Sequence, residues 1–358
     1  MSIAARGLWK RFGDTAAVAG VSLEVPEGEM LVLLGPSGCG KTTIMRCIAG
    51  LEAPESGSIS ISGETMFDAA ASINVPTHLR RIGMVFQSYA IWPHMSVFEN
   101  VAFPLEMADR DGLEIETRVR EALELVGLEA QAARGASQLS GGQMQRVALA
   151  RSLVMRPRVL LFDEPLSNLD ARLRDRLRIQ LRELQSQMNI TSIYVTHDQT
   201  EALALADRIA VMETGKVLQE GDPISVYNEP QTSRIAEFLG YTNVFPVRSV
   251  ERGEGRWKVR LDDDISLETS PARQNDGDLC LCVRPQDIVL GLATGDAAGI
   301  DAEITLASFM GVCMHYRVRV GSGRSWDVLA MEINPSLRRG AKVKMSVPPS
   351  RAMLVRSA

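Results

Sequence analysis

The sequence contains few cysteines and no long apolar run, and each absence excludes a class of protein. Only 5 of its 358 residues are cysteine, and their spacing matches neither a disulfide framework nor a zinc site. Its longest apolar runs, such as residues 30–35 and 159–162, are far shorter than the roughly 18 residues that a membrane-spanning helix needs. We therefore expect a protein that neither depends on disulfides nor crosses a membrane.

The chain also lacks a large excess of charge of either sign. Its 39 Lys and Arg residues stand against 44 Asp and Glu residues, and the net charge of −5 gives no global attraction to nucleic acid or anionic lipid. Arginines in the predicted helix 170–188 lie opposite a leucine stripe, which is typical of a solvated helix face, with nucleic-acid contact as the alternative. We predict no nucleic-acid partner. Because the N-terminus lacks the apolar region of a secretory signal, the expected compartment is the cytoplasm.

Two patterns of residues divide the chain near residue 240. Before it, short apolar runs alternate with helical periodicity, which predicts a largely parallel sheet covered by helices. After it, short alternating segments separated by glycine and aspartate predict an antiparallel β domain. The predicted strands of this second domain are residues 256–261, 279–283, 315–320 and 341–347. The predicted fold is thus an α/β domain over residues 1–240 followed by an all-β domain over residues 241–358.

Four buried strands are predicted in the first domain, and each ends at polar residues. They are residues 30–34, 159–162, 192–196 and 209–212. Open parallel sheets bind their ligands at the carboxyl ends of the strands, so the architecture alone predicts a site there. A mostly helical stretch separates the first two strands, and we expect a helical subdomain at about residues 90–155.

The segment GPSGCGKTT, residues 35–43, satisfies the pattern G-x-x-x-x-G-K-[ST] between an apolar strand and a predicted helix. Its glycines allow backbone N–H groups to turn toward phosphate oxygens, and the helix adds its positive end. Lys41 would neutralise the β and γ phosphates, and the Thr42 hydroxyl would ligate Mg²⁺. The predicted nucleotide-binding residues here are Gly35, Pro36, Ser37, Gly38, Cys39, Gly40, Lys41, Thr42 and Thr43.

Two acids, Asp163 and Glu164, follow the apolar strand at residues 159–162. An acid in this position can hold Mg²⁺, and the next one can polarise a water for in-line attack on a γ-phosphate. Solvated acids are common at strand ends, so the pair alone is a weak signal. Combined with the phosphate-binding pattern, it predicts hydrolysis of a nucleoside triphosphate with Mg²⁺ as the cofactor.

A second candidate anion site is LSGGQ, residues 139–143. Ser140 can cap a helix whose first turn contains Gly141, Gly142 and Gln143, so that bare N–H groups and the helix dipole face outward. An ordinary capped helix is the alternative interpretation of this motif taken by itself.

With these motifs in this order, the chain resembles the ATP-binding cassette (ABC) ATPases over about its first 240 residues, which implies a P-loop NTPase cassette with a helical insertion. By this resemblance, residues 35–42 are the Walker A loop, residues 139–143 are the signature motif, and Asp163 and Glu164 are the Walker B acids. Glu164 is then the catalytic base.

The same resemblance implies further site residues. Gln87 in MVFQSYA is the Q-loop residue, expected to contact the metal and assist catalysis, and His197 is the switch histidine at the γ-phosphate. Residues 167–170 match the D-loop, which adds Asp170 to the nucleotide-binding set. Phe12 is expected to stack on adenine, with Trp9 as the alternative.

The resemblance also implies partners. Two copies of the chain would meet head to tail, each signature motif closing on the ATP held by the other copy. Two integral-membrane permease subunits would dock at residues 87–100, where we expect exposed Tyr89, Ile91 and Trp92. A periplasmic or extracellular solute-binding protein would act indirectly. The chain would then lie at the cytoplasmic face of the inner membrane.

The C-terminal segments CVRPQDI, residues 282–288, and GVCMHYRVRV, residues 311–320, resemble the OB-like regulatory (TOBE) domain of ABC importers for sugars, polyamines and ferric iron. Residues 240–247 and 90–106 are closer to polyamine or ferric-iron cassettes than to sugar cassettes. The expected function is therefore the ATP-hydrolysing subunit of an importer of a small solute. A soluble cassette ATPase in repair, translation or regulation stays open as the alternative.

Overall fold

A computed structural model describes residues 2–261, 265–271, 277–293, 299–321 and 323–357. The chain forms two compact units, Met1–Tyr227 and Asn228–Ala358. The division lies earlier than the boundary expected at residue 240, because a short helix, Ser233–Phe238, packs on strands of the second unit. Within the described ranges, no helix has both the length and the apolar character needed to cross a membrane.

The first unit is built from strands β1 to β11 and helices α1 to α7, the last of which ends just beyond the division. The strands are β1 Ile3–Phe12, β2 Thr15–Val25, β3 Met30–Leu34, β4 Ser56–Ile61, β5 Glu64–Asp68, β6 Ile73–Asn74, β7 Ile82–Val85, β8 Val159–Asp163, β9 Thr191–Thr196, β10 Arg208–Glu213 and β11 Lys216–Gly221. The helices are α1 Lys41–Ala49, α2 Val97–Met107, α3 Gly112–Leu125, α4 Gly141–Leu153, α5 Ala171–Met188, α6 Gln199–Leu205 and α7 Pro223–Asn228.

The central sheet of this unit has the order β11-β10-β3-β9-β8-β7, parallel from β10 to β7 with β11 antiparallel at one edge. Every residue of β3, β8 and β9 is buried, as expected for apolar strands of a parallel sheet covered on both faces. Helix α1 packs on β8 and β9. The predicted α/β class is confirmed, and the carboxyl ends of β3, β8 and β9 meet at one edge.

Two further layers complete the first unit. Helices α2, α3 and α4 pack on one another and form the insertion between β7 and β8. A second, antiparallel sheet of order β2-β1-β4-β5-β6 was not predicted from the sequence. Its strands β1 and β2 are broken by register shifts, which weaken the alternation of polar and apolar residues on which strand prediction depends.

The second unit contains helix α8, Ser233–Phe238, and the remaining strands, which pair with one another in antiparallel orientation in the described ranges. They are β12 Asn243–Pro246, β13 Ser249–Arg252, β14 Trp257–Arg260, β15 Ser266–Thr269, β16 Leu279–Val283, β17 Val289–Leu292, β18 Ile300–Phe309, β19 Met314–Val320, β20 Arg324–Ala330, β21 Lys342–Ser346 and β22 Met353–Arg356. They form sheets of order β12-β16-β22, β13-β14-β15 and β17-β21-β18-β19-β20. The four strands predicted here correspond to β14, β16, β19 and β21, so the predicted β domain is confirmed.

The core of the second unit surrounds Trp326 and Tyr316, both fully buried. A smaller apolar cluster joins Ala236 of α8 to Cys280 and Cys282 of β16. The two thiols therefore face the same side of the strand, as their spacing predicts, and burial raises the pKa of Cys282. They are buried free thiols rather than a disulfide.

Candidate nucleotide site

The phosphate loop, residues 35–40, is packed so tightly that two of its positions admit only glycine. Gly40 has φ of 103°, and a Cβ there would lie 2.1 Å from the carbonyl oxygen of Ala17 in β2. A Cβ on Gly35 would lie 2.3 Å from the carbonyl oxygen of Met212 in β10. The loop thus runs between β2 and β10 with its backbone packed against both strands, and a side chain at either glycine position would push it away from them.

Lys41 begins α1 directly beneath this loop and is only 4% exposed. Its Nζ donates hydrogen bonds to the carbonyl oxygens of Gly35, at 2.8 Å, and Pro36, at 2.9 Å. Pro36, Ser37 and Gly38 are exposed at the tip of the loop. A buried ammonium therefore stands beside the amino end of α1, and both features attract anions.

Thr42 and Asp163 bring a hydroxyl and a carboxylate together at the start of the same helix. Thr42 Oγ1 donates a 2.9 Å hydrogen bond to Asp163 Oδ1, and Asp163 is 8% exposed at the end of β8. Burial raises the pKa of the Asp163 carboxyl, and the hydrogen bond from Thr42 opposes that rise. Oxygen ligands of these two kinds fit Mg²⁺, which is usually bound by one or two protein groups together with substrate phosphates.

Glu164 and His197 meet where β8 and β9 end side by side. The backbone N–H of Glu164 donates to the carbonyl oxygen of Val195, and Glu164 has a left-handed φ of 44°. Its Oε2 lies 3.2 Å from Nδ1 of His197, whose side chain is 53% exposed. The structure therefore brings together the predicted base and the predicted switch histidine.

The segment 167–170 connects this pair to Gln87 and to α5. Ser167 Oγ donates to the carbonyl oxygen of Glu164 at 2.9 Å, and Asn168 Nδ2 donates to the carbonyl oxygen of Gln87 at 2.9 Å. Asp170 caps α5 by accepting a hydrogen bond from the N–H of Leu173. The Gln87 side chain is exposed, and the hydrogen bonds of the described residues do not join it to the predicted metal ligands.

The signature motif forms a capping box at the amino end of α4. Ser140 Oγ accepts a hydrogen bond from the N–H of Gln143, and Gln143 Oε1 accepts one from the N–H of Ser140. A Cβ on Gly142 would lie 3.1 Å from the Leu173 side chain of α5, so a glycine allows the two helices to approach. The described side-chain hydrogen bonds of Ser140 and Gln143 stay within this motif, and none of them joins it to Lys41.

Phe12 and Trp9 lie on β1, on the side of the unit where β2 touches the phosphate loop. Phe12 pairs with Thr15 in β2, two residues from the Ala17 that contacts Gly40, and is 51% exposed. Trp9 is 38% exposed, and its ring lies against Gly20. Phe12 is thus the more exposed of the two aromatic side chains.

The expected exposure of Tyr89 is wrong, since this residue is only 8% exposed. Arg151 of α4 donates hydrogen bonds to the carbonyl oxygens of Tyr89 and Ala90, which holds this segment against the helix. Trp92 is partly buried, with its ring 4.4 Å from that of Phe103 and 4.8 Å from the Arg151 guanidinium. Ile91 is also partly buried.

Sequence reasoning missed Arg151 and Asn168 as residues that shape the site. Arg151 lies about 60 residues from the carbonyls it binds, and Asn168 lies 81 residues from Gln87. A signal was present for Asn168, which belongs to the D-loop segment, whereas nothing in the local pattern around Arg151 predicts its contacts.

Comparison with known proteins assigns both units. The family model described as ABC transporter matches residues 18–167, and the model described as TOBE domain matches residues 281–355. The spermidine/putrescine import ATP-binding protein PotA of Ruegeria pomeroyi is 41% identical over 363 residues, which cover 99% of this chain and 96% of that protein. The Fe(3+) ions import ATP-binding protein FbpC of Photorhabdus laumondii is 47% identical over 285 residues, which cover 80% of this chain and 78% of that protein.

Solved structures support the same assignment for the cassette. The structure of cbiO1 from Clostridium perfringens, part of the ABC transporter complex cbiONQ, matches with a TM-score of 0.58 and 32% identity over 63% of this chain and 90% of that one. The ATP-binding cassette MJ0796, in a dimeric structure bound to ADP and Pi, matches with a TM-score of 0.53 and 33% identity. The match covers 62% of this chain and 98% of that chain. An ATPase outside transport is not favoured by these relatives. The chain belongs to the ABC transporter family, as an importer ATP-binding subunit whose ATP hydrolysis is coupled to transport.

Proposed function

We propose that this chain hydrolyses ATP with Mg²⁺ between two copies of itself, and that it drives two permease subunits which import ferric iron or a polyamine. The observation that carries the proposal is the convergence of five side chains at one edge of the parallel sheet. They are Lys41, Thr42, Asp163, Glu164 and His197. The chain would work at the cytoplasmic face of the membrane, and a solute-binding protein would act through the permeases.

The nucleotide would bind along the phosphate loop, with its phosphates against the amino end of α1 and its base on Phe12. Lys41 is placed to neutralise the β and γ phosphates, and loop amides would donate to their oxygens. Thr42 Oγ1 and the Asp163 carboxylate would hold Mg²⁺, with Gln87 as a further ligand. When bound, Mg²⁺ would offset the charge that develops on the phosphate oxygens.

Glu164 is the residue that would orient and polarise the attacking water. Its Oε2 lies beside His197, and its backbone is fixed by hydrogen bonds to β9 and from Ser167. His197 would contact the γ-phosphate and keep the Glu164 carboxylate aimed at the water. General-base groups of this kind contribute about 10²- to 10⁴-fold to a rate.

The second anion site would close on the nucleotide of the other copy. The capped amino end of α4 carries exposed Ser140 and half-exposed Gly141, so its backbone N–H groups are within reach of a partner. Gly142 and Gln143 complete the motif, and Asp170 would lie near the same nucleotide. The dimer that MJ0796 forms with ADP and Pi supports this arrangement.

A groove of about 780 Å³ beside the insertion is the proposed docking site for a permease. It combines apolar and cationic side chains, among them Met84, Phe86, Trp92, Phe103, Met107, Arg110 and Arg151. Aromatic and methionine side chains in a groove suit an amphipathic helix of a partner. Phe86 lines this groove and is followed directly by Gln87, a proposed metal ligand. A movement of the docked permease helix against Phe86 would therefore displace Gln87 in the nucleotide site.

We propose the solute from the share of this chain that each relative matches. The relative named for spermidine and putrescine matches 99% of this chain, and the Fe(3+) relative of Agrobacterium fabrum matches 96% at 41% identity. The trehalose/maltose relative of Thermococcus litoralis is 53% identical but matches only 65%. Similarity that includes the second unit therefore favours ferric iron or a polyamine over a sugar.

The test is purification of the tagged full chain from membranes, followed by uptake assays in cells that lack it. We expect two permease subunits to co-purify and uptake of radiolabelled ferric iron or spermidine to fall, while maltose uptake is unchanged. Recovery with ribosomes or DNA and without any membrane protein would contradict the proposal.

A further inference from the structure

The guanidinium of Arg174 bridges two segments that flank the proposed catalytic pair. From its position on α5, Arg174 Nη2 donates a 3.0 Å hydrogen bond to the carbonyl oxygen of Leu169. Its Nη1 lies 3.5 Å from Asp198 Oδ2, and its Nε lies 3.9 Å from Glu201 Oε1. One side chain thus joins the segment 167–170 to the residues that follow His197.

The two carboxylates that face Arg174 are themselves fixed. Asp198 Oδ1 caps α6 by accepting from the N–H groups of Thr200 and Glu201, which leaves Oδ2 for the arginine. Glu201 is 3% exposed, and its Oε2 accepts from the hydroxyls of Tyr194, at 2.9 Å, and Thr196, at 2.8 Å. Because each carboxylate has one oxygen engaged, the other is held toward Arg174.

These contacts form a closed chain of interactions that begins and ends at the proposed catalytic pair, Glu164 and His197. Ser167 Oγ donates to the backbone of Glu164, Arg174 links Leu169 to Asp198, and Asp198 is adjacent in the chain to His197. The last contact is between His197 Nδ1 and Glu164 Oε2, which lie 3.2 Å apart. Since His197 is half-exposed and makes this one described contact, the position of its loop decides whether it meets Glu164.

We infer that Arg174 is a positioning residue, which holds the loop of His197 in register with Glu164 by tying Asp198 and Glu201 to the segment 167–170. The inference rests on the proposed roles of Glu164 and His197. Arg174 is not expected to touch nucleotide, so its loss should lower kcat for ATP hydrolysis and leave the Kd for ATP unchanged. Coupling between contacting residues is commonly worth about a tenfold change.

The test is a set of variants of the full chain, assayed for ATP binding and for kcat. Arg174→Met should reduce kcat about tenfold, and Arg174→Lys should lose less, because an ammonium can still meet one partner but not all three. Arg176→Met, on an exposed face of the same helix, is the matched control and should behave as the unaltered protein. Asp198→Asn keeps an oxygen to cap α6 but removes the charge facing Arg174, so it should reproduce the loss even if Arg174→Met folds poorly.

A double-mutant cycle separates positioning from general damage. In a His197→Ala background, measured in single turnovers, Arg174→Met should cause no further loss, because the group it positions is gone. A further tenfold loss there, or unchanged kcat in both Arg174→Met and Asp198→Asn, would overturn the inference. If Glu164→Gln hydrolysed ATP at the normal rate, the proposed function itself would fail instead.

Discussion

The hydroxyl of Thr42 donates a 2.9 Å hydrogen bond to the carboxylate of Asp163, 121 residues further along the chain. Thr42 belongs to the helix that follows β3, and Asp163 ends β8, so the parallel sheet places a phosphate-binding segment and an acid at the same edge.

Asp163→Asn should stabilise the protein and abolish its hydrolysis of ATP. Burial raises the pKa of the Asp163 carboxyl in the folded state above its unfolded value, so folding favours the protonated form. The free energy of unfolding therefore falls as pH rises past the unfolded pKa of about 4 and through the folded pKa. An amide carries no charge, so the urea midpoint of the variant should be higher at pH 7. The advantage should vanish below about pH 4, and a lower midpoint at pH 7 would contradict this explanation.

Glu164→Gln should bind ATP as tightly as the unaltered chain and hydrolyse it about 10²- to 10⁴-fold more slowly. The substitution keeps the shape of the side chain and removes its basicity, while Lys41, Thr42 and Asp163 remain. Phosphate release in steady state and an ATP titration measure the two effects. Unchanged turnover would exclude Glu164 as the base.

Gly40→Ala should cost far more stability than Gly38→Ala. Both glycines have positive φ, which costs an alanine about 1 kcal/mol. Only at Gly40 would the new Cβ also meet the backbone oxygen of Ala17, so we expect a total loss of about 3 kcal/mol there. Urea unfolding of the two variants provides the comparison, and equal losses would show that the close packing against β2 is not important.

Ser140→Arg should prevent the ATP-driven dimer without affecting ATP binding by one chain. The change places a long cation at the exposed amino end of α4, where the other copy's phosphates would lie. Size-exclusion chromatography with ATP, in the Glu164→Gln background to prevent hydrolysis, detects the dimer. Gly112→Arg, at the start of α3 where a Cβ meets open space, is the control and should dimerise normally. A dimer formed by both variants would rule out closure by this motif.

The sequence predicts this site best where local pattern and chemistry coincide. The phosphate loop is formed by one continuous segment, which contains apolar β3, the glycines after it and the helix that begins at Lys41. It can therefore be predicted from the sequence without knowledge of the tertiary structure. Glu164 was predicted from its place after an apolar strand and His197 from the family resemblance, and only the pairing of β8 with β9 brings them to 3.2 Å.

Contacts between distant segments were the part that the sequence could not show. Tyr89 was expected to be exposed because its segment was predicted to dock a permease, but Arg151 of α4 binds its carbonyl and the Tyr89 side chain is buried. Arg174 looked like one of several solvated arginines on α5, whereas its neighbours Asp198 and Glu201 lie more than 20 residues away. The orientation of α5 decides which of these arginines forms ion pairs with other segments, and the composition of the helix does not predict that orientation.

The most direct test of the account is titration calorimetry of the purified full chain with ATP and Mg²⁺, alongside Lys41→Ala. We expect saturable heat for the unaltered chain and at least about tenfold weaker binding for the variant, because a buried cation that faces the phosphates is lost. Absence of heat from the unaltered chain, or equal affinity in both proteins, would contradict it.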